Sequence, residues 1–236
     1  LQLRSQRARG VMIPSLAGES SSIIRMEDGG ADIFYGDTVR DWHFSQISLI
    51  GGRHQLHIGN DNLQNGLISI SQSNFHYSSG AAIYLLPPKN TTGTGYFKGS
   101  FSTQVVIREC KFIETDQALI NWADWTSMTD CTIDSSPLMD NKAVLENHDR
   151  LYLTNIFASP NVNSSLNQRW IDNWTYRMAG GVVHAKAFRF GGEQGGFPAV
   201  VNWAPYACIV ENSPFNDKLQ ICAGGPPRTE NSSKAP

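Results

Sequence analysis

The feature that most constrains this chain is a repeat. An apolar, two polar, small or apolar, any, apolar pattern recurs at Phe44-Ile47-Leu49, Ile70-Ser73-Phe75, Ile107-Cys110-Phe112, Met128-Cys131-Ile133 and Leu153-Ile156-Ala158, at steps of 26, 37, 21 and 25 residues. Such steps, with irregular insertions, are those of a solenoid whose coils stack while loops of variable length project between strands. The widest step contains PPKNTTGTG, which reads as an exposed loop. A second column comes from ALINW (118–122), AVLEN (143–147), RWIDN (169–173) and AVVNW (199–203), which align without gaps at steps of 25, 26 and 30 residues. In-register coils lie about 4.8 Å apart. This alignment predicts an inward stack of Leu119, Val144, Trp170 and Val200, and a polar ladder of Asn121, Glu146, Asp172 and Asn202.

A β-sandwich also offers many short strands between regular turns, but it gives no reason for an amide or an acid to recur at one strand position. Composition agrees with strands: Gly (21) and Pro (11) punctuate the chain, and short β-rich runs such as QVVIREC, RLYLTN and PAVVNW recur without any sustained helical stripe. The segment GVMIPSLAGESSSIIRM (10–26) resembles the opening coil of the right-handed parallel β-helices of the pectin-lyase-like superfamily. The resemblance implies an all-β, right-handed, single-stranded parallel β-helix of seven or eight coils over residues 10–203. Residues 1–9 are expected to be a cap or the remnant of a longer chain, 204–224 a C-terminal cap and 225–236 a flexible tail. The resemblance is architectural, because the catalytic motifs of polygalacturonases and pectate lyases are absent; RWIDNW carries Asn173 where a lyase-like W-I-D-H has His.

Charge excludes some partners. Nineteen basic against 21 acidic residues leave a net −2, so neither nucleic acid nor an anionic membrane is an expected partner. No apolar stretch approaches the roughly 18–20 residues of a membrane span.

Chemistry is sought first among the carboxylates. The gapless register sets Asp124 level with Asp149 on adjacent coils, and Glu146 level with Asp172. Carboxylates about 5 Å apart can act as acid and nucleophile of a retaining glycosidase, and oxygen ligands so placed can hold Ca²⁺. Each pair has a plainer alternative: Asp124 and Asp149 as solvated turn residues, Glu146 and Asp172 as part of a structural ladder. His148, Arg150 and Arg169 lie in the same coils and could serve as base and charge stabiliser of a lyase, or as surface ion-pair partners. Trp122, Trp125 and Trp174, beside polar residues, are candidate platforms for sugar rings. Glu193 sits at the tip of the Gly-rich RFGGEQGGF (189–197), where backbone can approach a ligand. His54 and His57, three apart in an expected strand, fall on opposite faces, so no zinc site is expected. Cys110 and Cys131 share a repeat position, as a small-residue ladder or a bridge, while Cys208 and Cys222 could close a terminal hairpin.

The function these features suggest is an extracellular carbohydrate-active protein: a polysaccharide lyase or glycoside hydrolase working in a groove along the solenoid, with calcium a possible cofactor. The alternatives are a non-catalytic glycan-binding module of tailspike or adhesin type, and a structural β-helix segment of a larger assembly. A monomer suits a secreted enzyme and a homotrimer suits the alternatives.

Overall fold

The structure, a computed structural model, describes residues 12–13, 22–36, 41–58, 67–85, 104–123, 125–135, 143–159, 169–173, 175–176, 179–180, 182–186, 189–190, 200–202 and 208–211. Among them there is no helix. The chain visits three parallel sheets in turn. The first has eight strands: Met12–Ile13, Trp42–Ser45, Leu67–Ser71, Gln104–Arg108, Trp125–Thr129, Arg150–Thr154, Val182–Lys186 and Cys208–Glu211. The second has seven: Ser22–Met26, Ile47–Gly51, Asn74–His76, Lys111–Thr115, Thr132–Ser135, Phe157–Ser159 and Arg189–Phe190. The third also has seven: Phe34–Gly36, Leu56–Ile58, Ala81–Leu85, Gln117–Asn121, Ala143–Asn147, Arg169–Asn173 and Val200–Asn202. Each strand pairs with the strand of the next rung in the same sheet, which is the arrangement of a β-helix-like solenoid. The one antiparallel pair among the described residues, Thr175–Tyr176 with Ala179–Gly180, lies outside the three sheets.

The repeat read from the sequence is the core of this stack. Phe44, Ile70, Ile107, Met128 and Leu153 are successive register partners in the first sheet. Leu49, Phe75, Phe112, Ile133 and Ala158 are successive partners in the second. All ten are buried, and the Phe75 and Phe112 rings stack with centroids 4.9 Å apart. Between these columns run Ile47, Ser73, Cys110, Cys131 and Ile156, also buried. Cys110 and Cys131 are free thiols, a ladder rather than a bridge. Their Sγ atoms reach the carbonyls of Arg108 (3.1 Å) and Thr129 (3.3 Å) respectively. The hydrogen bond with Cys110, together with burial, pushes the Cys131 thiol up.

The corner joining first to second sheet is made by one residue per rung in the left-handed region: Gln46, Gln72, Glu109, Asp130 and Asn155, at φ between 50° and 55°. A single such residue reverses the facing of the chain without a longer loop. The exposed side chains tie neighbouring corners together: Gln72 Nε2 donates to Glu109 Oε2 (2.9 Å) and Asn155 Nδ2 to Asp130 Oδ1 (2.6 Å). Glu109→Val, a β-branched residue at positive φ, is expected to cost about 1–2 kcal/mol. Glu109→Gly, which relaxes the dihedral but adds about 0.5–1 kcal/mol of unfolded-chain entropy, should be near neutral. Urea unfolding midpoints of the two variants check this.

The third sheet corrects the second column. Asn121 pairs with Asn147, 26 residues on, and Asn147 with Asn173, so the gapless step of 25 slips by one. Two residues, His148 and Asp149, separate Asn147 from Arg150, whereas three, Trp122, Ala123 and Asp124, separate Asn121 from Trp125. That extra turn residue restores the step of 25 in the first sheet, where Met128 pairs with Leu153. The step from Asn173 to its partner Asn202 is likewise 29 rather than 30. Leu119, Leu145, Ile171 and Val200 are therefore successive register partners, the first three of them buried, and Leu119 and Val200 are not level with Val144 and Trp170. The amide ladder is Asn121, Asn147 and Asn173, all fully buried. Asn121 Nδ2 donates to Asn147 Oδ1, and Asn147 Nδ2 to Asn173 Oδ1, both at 2.7 Å.

Candidate functional site

With the register set, the outward column of the third sheet is Tyr35, His57, Tyr84, Ile120 and Glu146, each the register partner of the next, and Glu146 is in backbone register with Asp172. Glu146 and Asp172 are level, as the sequence alignment places them. Their register neighbours are Ile120 and Val201, however, and not Asn121 and Asn202, and Asn121 belongs to the buried amide ladder. The side chains of Asp172 and Arg169 are outside what the structure describes, and Asp124, Trp174, Glu193 and Cys222 lie outside the described residues altogether.

Three of the sequence candidates meet at one end of the column. His148 Nε2 hydrogen-bonds Glu146 Oε1 at 2.6 Å, and the His148 ring lies flat on Trp122, centroids 3.7 Å apart and 10° from parallel. Gln117 Nε2 donates to Ala143 O (2.9 Å) and reaches Glu146 Oε2 (3.4 Å). Turn residue His148 is fixed through its backbone N–H, which donates to Asn121 O (2.9 Å). Asp149 is half-buried in the same turn and Arg150 exposed at the start of the next strand. Trp125 is elsewhere: it begins a strand of the first sheet, 47% exposed, with its ring 5.5 Å from that of Tyr152.

A second cluster, at the other end of the column, was not expected. Asp32 accepts from Arg53 through Nε (2.9 Å) and Nη2 (3.0 Å), and its Oδ2 also binds His57 Nδ1. Burial pushes the Asp32 carboxyl up, but hydrogen bonds and charge from Arg53 and His57 outweigh it and hold the group below the usual carboxylate value. Asp32 is therefore ionised near neutrality and accepts a hydrogen bond from His57 Nδ1–H. His57 Nε2 is buried and has no hydrogen-bond partner among the described residues.

His54 has the opposite arrangement. The Ala81 N–H points at its Nδ1 (3.0 Å), and Ala81 O is at 3.2 Å. Burial pushes the His54 imidazole down, so the ring is neutral, Nδ1 accepts and Nε2 carries the hydrogen. Tyr84 packs on both rings, with centroids 4.6 Å from His54 and 5.0 Å from His57, and Tyr35 meets His57 edge-on at 4.7 Å. Burial, and the negative charges of Glu146 and Asp32, push the Tyr84 phenol up against the opposing pull of Arg53. Tyr84 is therefore a neutral hydroxyl at physiological pH.

The strand-alternation argument that separated His54 from His57 fails because His54 is not in the strand. Leu56–Ile58 starts two residues later, and the rings end 5.4 Å apart. Gly51 and Gly52, both at φ 76°, make the preceding bend, and a Cβ on Gly51 would stand 2.1 Å from Met26 O. The Gly-Gly pair just ahead of R-H-Q-L-H was the available signal. Among the described residues no group of three or more His, Cys, Asp or Glu is arranged to hold a metal ion.

Burial lowers the imidazoles of both His54 and His76. The unfolded chain therefore binds protons more readily than the folded one, and stability is lost as pH falls from the unfolded histidine value toward the folded values. The unfolding midpoint is expected to drop as pH is lowered from 7 through the histidine range, and the drop should flatten in a His54→Gln/His76→Gln variant.

No protein-family model matches the chain, and no curated protein and no solved structure matches it.

Proposed function

We propose that this is an extracellular carbohydrate-active protein, a right-handed parallel β-helix of pectin-lyase-like type. It binds a polysaccharide along the outward face of the third sheet and cleaves it as a lyase or glycoside hydrolase. The observation that carries this reading is the outward column Tyr35, His57, Tyr84, Ile120 and Glu146, with Trp122 and His148 stacked beside it. Rungs about 4.8 Å apart set these groups in a row. A row of ring faces for sugar C–H surfaces, interleaved with acids and imidazoles for hydroxyls, suits a linear polymer better than a compact ligand. Glu146 with Asp172 would supply oxygen ligands if a hard cation such as Ca²⁺ takes part. The extracellular assignment follows from the polymer substrate and not from cysteine chemistry, since Cys110 and Cys131 are unbridged.

Non-catalytic glycan recognition is the second reading. Trp125 favours it, exposed next to Tyr152 on a different sheet from the acids. The test is incubation with neutral and uronate-containing polysaccharides, with Ca²⁺ or with chelator, following binding, new reducing ends and ultraviolet absorbance of unsaturated products. Cleavage establishes the enzyme. Binding without cleavage transfers the function to the second reading, and absence of binding to every polymer removes both.

A further inference from the structure

Two core thiols have no part in the glycan reading. We propose that Cys110 and Cys131 close into a disulfide between adjacent rungs when the chain folds against an oxidising disulfide donor, and that the finished stack then seals the pair in whichever state folding left it. This goes beyond the polysaccharide reading and does not rest on it.

The register brings the two residues level. On either side of them Arg108 pairs with Thr129 and Lys111 with Thr132, and the Thr132 N–H donates to Cys110 O at 3.0 Å. Level residues on adjacent rungs stand about 4.8 Å apart, inside the roughly 4.4–6.8 Å between Cα atoms that a disulfide spans. Both side chains are buried in one column and hydrogen-bond each other through sulfur. The column offers neither of them another thiol, since the flanking rungs hold Ser73 and Ile156 at this position. Level Cβ atoms also start about 4.8 Å apart, against about 3.8 Å in a relaxed disulfide, so the bridge draws the two rungs together at this point. The residue before each cysteine, Glu109 or Asp130, is the corner residue at positive φ with an exposed side chain. That corner takes up the shift outside the strand ladders.

Burial decides when the bond forms. Exchange needs a thiolate with access to the donor disulfide, and in the folded chain both sulfurs are covered. Cys110 Sγ also points at Arg108 O and Cys131 Sγ at Thr129 O, contacts that favour S–H over the thiolate. A folded, reduced pair is therefore inert. While the rungs are still apart, one cysteine thiolate attacks the donor disulfide, forming a mixed disulfide and releasing half of the donor as a thiol. As the rungs dock, the second cysteine gives up its proton and attacks the protein sulfur of the mixed disulfide, releasing the other half. The chain loses two protons and two electrons, and the donor disulfide takes them up as two thiols.

The test unfolds the full chain in guanidinium with dithiothreitol, removes the reductant and refolds by dilution into either glutathione disulfide or dithiothreitol. Unreduced peptide maps read the Cys110–Cys131 link, and denaturant unfolding reads stability. Refolding with glutathione disulfide is expected to give the link, and refolding with dithiothreitol to give two thiols. Glutathione disulfide added to the chain already folded in its reduced form should leave both thiols open to alkylation once the chain is unfolded. The linked form should unfold at a higher guanidinium concentration than the reduced form, and this gain should shrink in Cys131→Ser, which keeps a small side chain at the position. Two free thiols after oxidative refolding, links from either residue to Cys208 or Cys222 instead, or native structure that forms only in the reducing refold would overturn the inference. Full closure in the already folded chain would overturn it as well, since the stack would then not seal the pair.

Discussion

Phe112→Ala is expected to destabilise the protein by about 3–5 kcal/mol, the range for deleting a fully buried aromatic ring. Phe112 is wholly buried in the middle of the second-sheet column, stacked on Phe75 below it and in register with Ile133 above. Relaxation into the cavity would require two rungs to approach, and the parallel hydrogen bonds on either side fix their spacing, so little of the void can close. Phe157 on the same sheet provides the control. It is 45% exposed, and truncating it to Ala should cost about 1 kcal/mol or less, because most of its area is already in water. In a stacked array each rung contacts mainly its neighbours. The loss should therefore be local as well as global: amide protection is expected to fall first in Asn74–His76, Lys111–Thr115 and Thr132–Ser135. Guanidinium unfolding with hydrogen exchange measures both. A loss below 1 kcal/mol would mean that the column is not a packed core.

The core was legible because its columns are inward-facing and periodic. Phe44 to Leu153 and Leu49 to Ala158 could be aligned from apolar character alone, and the structure pairs the same residues. The third sheet was legible only to within one residue. Ala118 and Ala143 stand first in ALINW and AVLEN, and matching them seemed to require no gap; the extra residue in the Trp122–Asp124 turn has no signature that distinguishes it from its neighbours. In a strand of period two a slip of one exchanges faces. It put Glu146 in the ladder with Asn121, where the structure has Asn147.

The site shows the same limit in another form. Glu146, His148 and Trp122 are close in sequence or one rung apart, so their meeting follows from the repeat. Asp32, Arg53, His57 and Tyr84 come from three successive rungs, separated by turns of different length, and only the three-dimensional stack places a carboxylate of one rung under an imidazole of the next. Asp32 precedes its strand Phe34–Gly36 and His54 precedes Leu56–Ile58, so neither lies where strand alternation could locate it.

Asn147→Ala is the complementary prediction, since it removes hydrogen bonds where Phe112→Ala removes packing. Asn147 is the centre of the buried amide ladder: Oδ1 accepts from Asn121 Nδ2, and Nδ2 donates both to Asn173 Oδ1 and to Asp149 O, each at 2.7 Å. Truncation takes a partner from two buried groups, Asn121 Nδ2 and Asn173 Oδ1, and from the half-buried Asp149 carbonyl. Asn121 Nδ2 retains a longer contact to Arg150 O (3.3 Å), so its loss is partial. With each stranded group worth about 1–3 kcal/mol, the expected cost is about 2–5 kcal/mol. Asn147→Asp separates hydrogen bonding from volume. The carboxylate still accepts from Asn121, but its second oxygen faces the oxygens of Asn173 and Asp149 that the amide hydrogens had satisfied. It should therefore be no better tolerated than Ala at neutral pH, and should recover as acid protonates the carboxyl and restores one donor. Denaturant unfolding of both variants at neutral and acidic pH, each referred to the native protein at the same pH, reads this directly. An aspartate as stable as asparagine at neutral pH would show that the ladder's direction of donation is not what holds the third sheet in register.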